Sequence, residues 1–168
     1  VDNDMDNVIG TAPAAGGPGA AFFEEEYQAA YDTEPGVFTA QAYDAMAVNV
    51  LAATAAGEND GSALRDRVRT VANPDGEEFG PETLVDAVEA VAAGDPINYV
   101  GASSSVDFDV NGDVATAAYD VIDFQGGELV TEDNLEFGDG LTEADRNATA
   151  ADPVGVDSFE AMVGVLMP

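Results

Sequence analysis

The apolar pattern of this chain changes period once, at Ile97, and that change limits the folds open to it. Between residues 20 and 94 apolar side chains recur at three- and four-residue spacings, the signature of amphipathic helices. From Ile97 onward they alternate with polar ones, as in strands that bury one face. A run of helices followed by a run of strands means that the chain holds both kinds of element and draws them from different stretches of sequence.

Within the first stretch the spacing predicts a helix over 20–31, with Phe23, Tyr27 and Tyr31 on one stripe and Phe22 and Ala30 widening it. The longest helix is predicted over 39–56, with Gly57 as its C-terminal cap and Tyr43, Met46, Ala47, Val50, Leu51 and Thr54 on its inner face. Ser62 is read as the cap of a shorter helix carrying Leu64, Val68 and Val71. That helix also holds Arg65, Arg67 and Arg69, which are expected to offset acids on neighbouring helices. An acidic loop leads to Pro81, which suits the first position of a helix that turns Leu84, Val85, Val88, Val91 and Ala92 inward and stops at Gly94. Before these helices, residues 8–13 read as a short strand and Ala14 to Gly19 as a small-residue linker. After them, residues 105–110 alternate, Asn111-Gly112 is a strong hairpin signal, and 114–124 reads as the return strand. A turn at 125–127 and a short strand at 128–130 follow. Residues 131–168 read as an acidic tail in which Phe159, Met162, Val163 and Leu166 form a short final element.

Charge decides which functions are excluded. The chain has 168 residues, 34 Asp and Glu, four Arg, and neither Lys, His nor Cys, for a net charge of −30. A phosphate backbone needs clustered cations, so nucleic acid is not the partner, and the same lack excludes docking on anionic lipid through a basic patch. Without Cys there is no disulfide framework, thiolate metal site or thiol nucleophile, and without His the commonest general base is missing. Disorder is one reading of so much charge, but the hydrophobic fraction is 46% and the longest acidic run is Glu24-Glu25-Glu26. The other reading is a folded, halophilic, haloarchaeal type of chain. At 1 M salt the Debye length is about 3 Å, and a surface of one sign hardly repels itself. The first residues lack the basic and apolar regions of a signal peptide, and no apolar stretch approaches the length of a membrane span. With no initiator Met, the chain is expected to begin inside a longer precursor.

The motifs that suggest chemistry are weak. Asp107-x-Asp109-x-Asn111-Gly112-Asp113 opens like a calcium loop, but its twelfth position is Ala118 and strands are predicted around it, so a hairpin turn is expected and no metal site. Ser103-Ser104-Ser105 has no His or Lys to activate it and reads as a loop. No nucleophile–base pair stands out, so neither catalysis nor a cofactor is expected. Asn147-Ala148-Thr149 fits the N-glycosylation acceptor, which matters if the chain is exported.

Three segments, in order, carry a resemblance. They are Val8 to Pro13 followed by Phe23, Tyr27 and Tyr31; Pro35 to Ala45, containing Phe38 and the triplet Tyr43-Asp44-Ala45; and Tyr99 to Asp113 leading into Tyr119 to Phe124 and Gly126 to Leu129. Together they resemble the C-terminal part of ABC-transporter substrate-binding proteins of the leucine/isoleucine/valine-binding type. That resemblance implies a two-lobed periplasmic-binding-protein-like fold, incomplete in this chain, with helices on a parallel sheet and a C-terminal β-hairpin. Residues 1–19 would be the end of a lobe strand and a hinge linker, 20–98 a helical segment of one lobe, 99–130 a hairpin of the other lobe or the hinge, and 131–168 the tail. It also implies an extracellular protein, membrane-anchored in its precursor, that delivers an amino acid or similar small polar solute to an ABC permease. Phe38 and Tyr43 would be the ligand-binding residues, Phe38 touching the ligand side chain or stapling the start of its helix. A different class remains open from the residues: a self-assembling surface or filament protein, distinguishable by self-association in molar salt.

Overall fold

Four long helices form where the spacing predicts them in a computed structural model of the chain, which describes residues 8–126, 128–138 and 140–146. They are α1 (Ala20–Tyr31), α2 (Thr39–Ala56), α3 (Gly61–Ala72) and α4 (Leu84–Ala93). Helix α2 stops at Gly57, whose left-handed backbone lets its N–H reach the carbonyls of Ala53 and Thr54. Helix α3 is capped two residues earlier than predicted. Asp60, not Ser62, accepts from the N–H groups of Ser62 and Ala63 at 3.0 and 3.2 Å. Pro81 opens a 3-10 turn (Pro81–Thr83), and α4 begins only at Leu84.

Two short strands hidden in the helical stretch give these helices a surface to pack on. β2 (Glu77–Phe79) and β3 (Ile97–Tyr99) pair in parallel, with α4 as the crossover between them. Around the pair lies the main core, in which Leu51 and Tyr99 are fully buried beside Ala47, Val48, Ala52, Val71, Ala87 and Val91. The small residues of α2 and α4 allow close helix approach around the few large side chains, Leu51, Phe79, Ile97 and Tyr99. The inner face of α2 is rotated from the predicted one. Ala40, Asp44, Ala47, Val48, Leu51 and Ala52 are buried, whereas Met46 is 65% exposed and Val50 also faces out. On α4 the stripe is Leu84, Ala87, Val88 and Val91, which leaves Val85 73% exposed and Ala92 at the surface. In both helices alanines share the inner side with larger aliphatics, Val48 and Leu51 on α2 and Val91 on α4.

The second sheet is antiparallel, with β4 (Ala117–Gln125) between β1 (Ile9–Pro13) and β5 (Glu128–Phe137). The hairpin is therefore β4–β5, later in the sequence than the 105–124 hairpin expected from Asn111-Gly112. At that earlier turn only Phe108 and Val114 form a bridge. The reason lies in the backbone: Val106 has a positive φ of 58°, which ends any extended run, and the polar groups of 108–110 are already engaged elsewhere. β5 also continues to Phe137, so the first part of the expected acidic tail is a strand. The chain is a mixed α/β protein. The Asn147 acceptor and the Phe159–Leu166 element lie outside the described residues.

What engages the 108–110 backbone is α3 together with a last short helix, α5 (Glu143–Arg146). Asn73 exchanges two 3.0 Å hydrogen bonds with the N–H and carbonyl of Phe108. The guanidinium of Arg69 donates to the carbonyls of Phe108, Asp109 and Val110. Asp145 accepts from the N–H of Val110 at 2.8 Å, and a hydrogen bond from the Thr142 hydroxyl is the largest of several that hold its carboxyl below the usual range. Of the arginines on α3, Arg69 binds carbonyls and its charge also helps to hold Asp145 of α5 ionised, whereas Arg65 pairs with Asp66 on its own helix. Arg69→Gln is expected to cost about 1–2 kcal/mol in a urea titration, since it removes charge-assisted bonds to carbonyls that then turn to water. Amide exchange at Asp109 to Asp113 should rise with it.

Candidate functional site

The two sheets are joined by a tight chain crossing, and a buried carboxylate organises it. Asp44, inside the apolar face of α2, is only 2% exposed. Its Oδ1 accepts from the Tyr99 hydroxyl and the Ala102 N–H, both at 2.9 Å; its Oδ2 accepts from the Ser103 N–H at 2.7 Å and the Ser103 hydroxyl at 2.5 Å. Burial, and next the negative charge of Asp44, push the Tyr99 hydroxyl well above its ordinary pKa and raise that of Tyr43 as well. The turn that Asp44 holds then pairs with the Gly-rich segment. Gly16, Gly17 and Gly19 donate to the carbonyls of Ser103, Ala102 and Gly101, each at 3.0 Å, and Ala14 donates to Ala118. Ser103 and Asp44 do not make a nucleophile and base. Four hydrogen bonds already occupy the two carboxylate oxygens, and the group is buried inside the crossing.

This crossing sets the antiparallel sheet beside the starts of α1 and α2 and opens a cleft of about 570 Å³. Ala12, Asp120, Ile122, Leu129 and Thr131 line it from one face of the sheet, and Phe23, Phe38 and Gln41 line it from the helices. The volume and the apolar walls suit a small ligand. Neither α1 nor α2 has a side-chain cap at its N-terminus, and Ala20 and Ala40 of their first turns line the cleft. Carboxylates stand in it too. Glu34 is held by Gln28 at 2.6 Å and Asp120 by Asn134 at 3.0 Å, with Glu24 nearby.

Of the residues singled out in the sequence, Phe38 lines this cleft. It precedes α2 with a positive φ of 67°, a backbone conformation costly for a bulky residue, and its side chain is 58% exposed. It does not act as a staple buried at the helix start. Tyr43 does not line it: its ring packs 5.1 Å from that of Phe23, a wall residue, in a small cluster with Ala40 and Ala102 behind the wall. The 109–113 turn spends its acid internally. Asp109 accepts from the N–H groups of Asn111 and Asp113 at 2.8 and 2.9 Å, and these bonds, that from Asp113 foremost, hold its carboxyl below the usual range. Among the described residues no group of acids is arranged to hold a metal ion. In the sequence reading Asp44 has a place only in the Tyr43-Asp44-Ala45 triplet that opens the long helix, although an acid set within an Ala and Val stripe was a signal of a buried, fully bonded carboxylate.

Among solved structures, the chain is similar to a leucine binding protein from Thermotoga maritima, at 24% identity and a TM-score of 0.49. The match covers 80% of this chain and 32% of that one. No protein-family model matches the chain, and no curated protein matches it.

Proposed function

We propose that this chain is part of an extracellular solute-binding protein whose cleft takes an amino acid or a similar small polar solute for delivery to an ABC permease. The observation that carries the reading is Phe38, an exposed aromatic held in a strained backbone at the wall of a cleft that also presents two helix N-termini and carboxylates. A zwitterion has a partner there for each end: helix N–H groups for its carboxylate, and Glu34 or Asp120 for its ammonium. The apolar walls and the Phe38 ring accept a side chain. The resemblance of the segments around Pro13, Phe38 and Asp109 supports the same reading. Binding is non-covalent, and any closure around the solute follows from its greater affinity for the closed state. No helix among the described residues is long and apolar enough to cross a membrane.

Strain at Phe38 makes the proposal testable in two directions at once. Phe38→Gly is expected to stabilise the fold by about 1 kcal/mol, because glycine accepts the positive φ and little apolar burial is lost. It is also expected to weaken solute binding about tenfold or more, since the aromatic wall is gone. Calorimetric titration of the twenty amino acids in molar KCl, with urea unfolding of the same samples, reads both. A wild-type protein that binds none of them, or a variant that binds as well, would sink the reading.

A further inference from the structure

The antiparallel sheet has a second face, opposite the one that lines the cleft, and among the described residues it carries an exposed apolar surface, bordered on one side by Phe38 and Gln41. Strand register places Ile9, Tyr119, Leu135 and Phe137 on this side, because directly paired residues share a face and successive ones alternate. Tyr119 and Phe137 stack edge to face with ring centres 5.7 Å apart. With Val114 they border a shallow groove of about 520 Å³. Phe137 is 55% exposed, and Ile9, Val114, Tyr119 and Leu135 are exposed as well. Exposed aromatics grouped on a rigid sheet are the usual anchors of protein interfaces.

The charge around the patch selects its occupant. Strands β1, β4 and β5 carry six acids (Asp120, Asp123, Glu128, Glu132, Asp133 and Glu136) and no cation. The four arginines of the chain are at 65, 67, 69 and 146, on α3 and α5. Asp133, paired with Val121, and Asp123, paired with Val130, lie on the same face as the aromatics. Salt screens these acids at an open surface, but much less once an interface buries them, and a second copy would then set its own acids against them with no cation on the matching strands to answer. We propose that this outer face docks a different protein, one that presents an apolar patch rimmed by Lys or Arg.

The test uses a synthetic amphipathic peptide with Leu and Phe along one face and Arg on both flanks, and a control in which every Arg is Glu. Fluorescence anisotropy is read at the lowest salt that preserves the native circular dichroism of the full chain. The Arg peptide is expected to bind, and the Glu peptide to bind at least tenfold more weakly. Phe137→Ser and Leu135→Ser should each weaken the Arg peptide about tenfold, Asp133→Asn should weaken it several-fold, and Met46→Ser, an exposed apolar site on α2, should leave it unchanged. Two apolar variants are used so that one that fails to fold does not remove the test. Equal affinity for both peptides, or no loss in either folded variant, overturns the proposal. So does a dimer in size exclusion that Phe137→Ser dissolves, which would make a second copy the occupant. A full-length Phe159→Ser, Leu166→Ser double variant that binds the peptide at least tenfold more tightly overturns it too, since the chain's own C-terminal segment would then be the cover.

Discussion

Asp44→Ala is expected to be the most damaging single substitution in this protein, at about 4 kcal/mol. The carboxylate accepts four hydrogen bonds out of reach of water, and its loss strands the N–H groups of Ala102 and Ser103 together with the Tyr99 hydroxyl. Each hydrogen bond to a charged group contributes about 1.5–3 kcal/mol, and a buried donor left unpaired costs about 1–3 kcal/mol. These terms are not independent, so their plain sum overstates the loss. Asp44→Asn should not rescue it. One end of the amide would be an NH2 facing a backbone N–H, donor against donor, and we expect about 3 kcal/mol of destabilisation even in this isostere. Hydroxyls can reverse their bonds, so Tyr99→Phe should cost only about 1–1.5 kcal/mol. Guanidinium unfolding of the three variants in high salt separates them. An Asn variant as stable as wild type would mean that the carboxylate is replaceable and that the crossing is held by something else.

Gly17→Ala should follow closely, at about 3 kcal/mol, for a reason unrelated to backbone freedom. A methyl group there would overlap the Gly101 carbonyl oxygen and lie 2.7 Å from the Ser104 nitrogen and 2.8 Å from the Ala102 carbonyl carbon. All three are backbone atoms, so no rotamer change relieves the overlap, and the two chain segments must move apart. That movement breaks the hydrogen bonds from Gly16, Gly17 and Gly19 at once. Gly57→Ala provides the contrast. Its φ is positive but nothing lies near the new methyl, so about 1 kcal/mol of backbone strain is all it should cost. Thermal denaturation of both variants checks the ranking. If Gly57→Ala proved the worse, the close approach of 16–19 to 101–104 would not be a tight one.

The helices were legible because each buries a stripe that repeats at helical spacing, and even Gly57 and Gly94 announced their ends. Which side of each stripe turns inward was less legible. On α2 the larger Met46 and Val50 suggested one face, but Asp44 and the alanines, which need close neighbours and specific donors, take the inside. β2 gave no signal, because three residues, two of them Glu, have no alternation to read. β5 was cut short in the sequence reading because, as an edge strand, it is exposed along almost its whole length and its acids mimic a tail. The misplaced hairpin has the opposite cause: Asn111-Gly112 is a true turn, but Arg69 and Asn73, some 35 to 41 residues away, take the backbone groups a ladder would need. As for the site, Phe38 was legible as a residue while the cleft was not, since its walls come from segments around 12, 38, 120 and 129 that only the crossing brings together.

Arg69 has one more consequence. The guanidinium gathers three carbonyl oxygens of the 108–110 segment, so a cation of the chain itself ties this turn to α3. That leaves even fewer fixed positive charges at the surface, so neutralising the outer acids falls to the dissolved salt. Internal architecture and surface charge are thereby uncoupled: one is set by the polypeptide, the other by the medium.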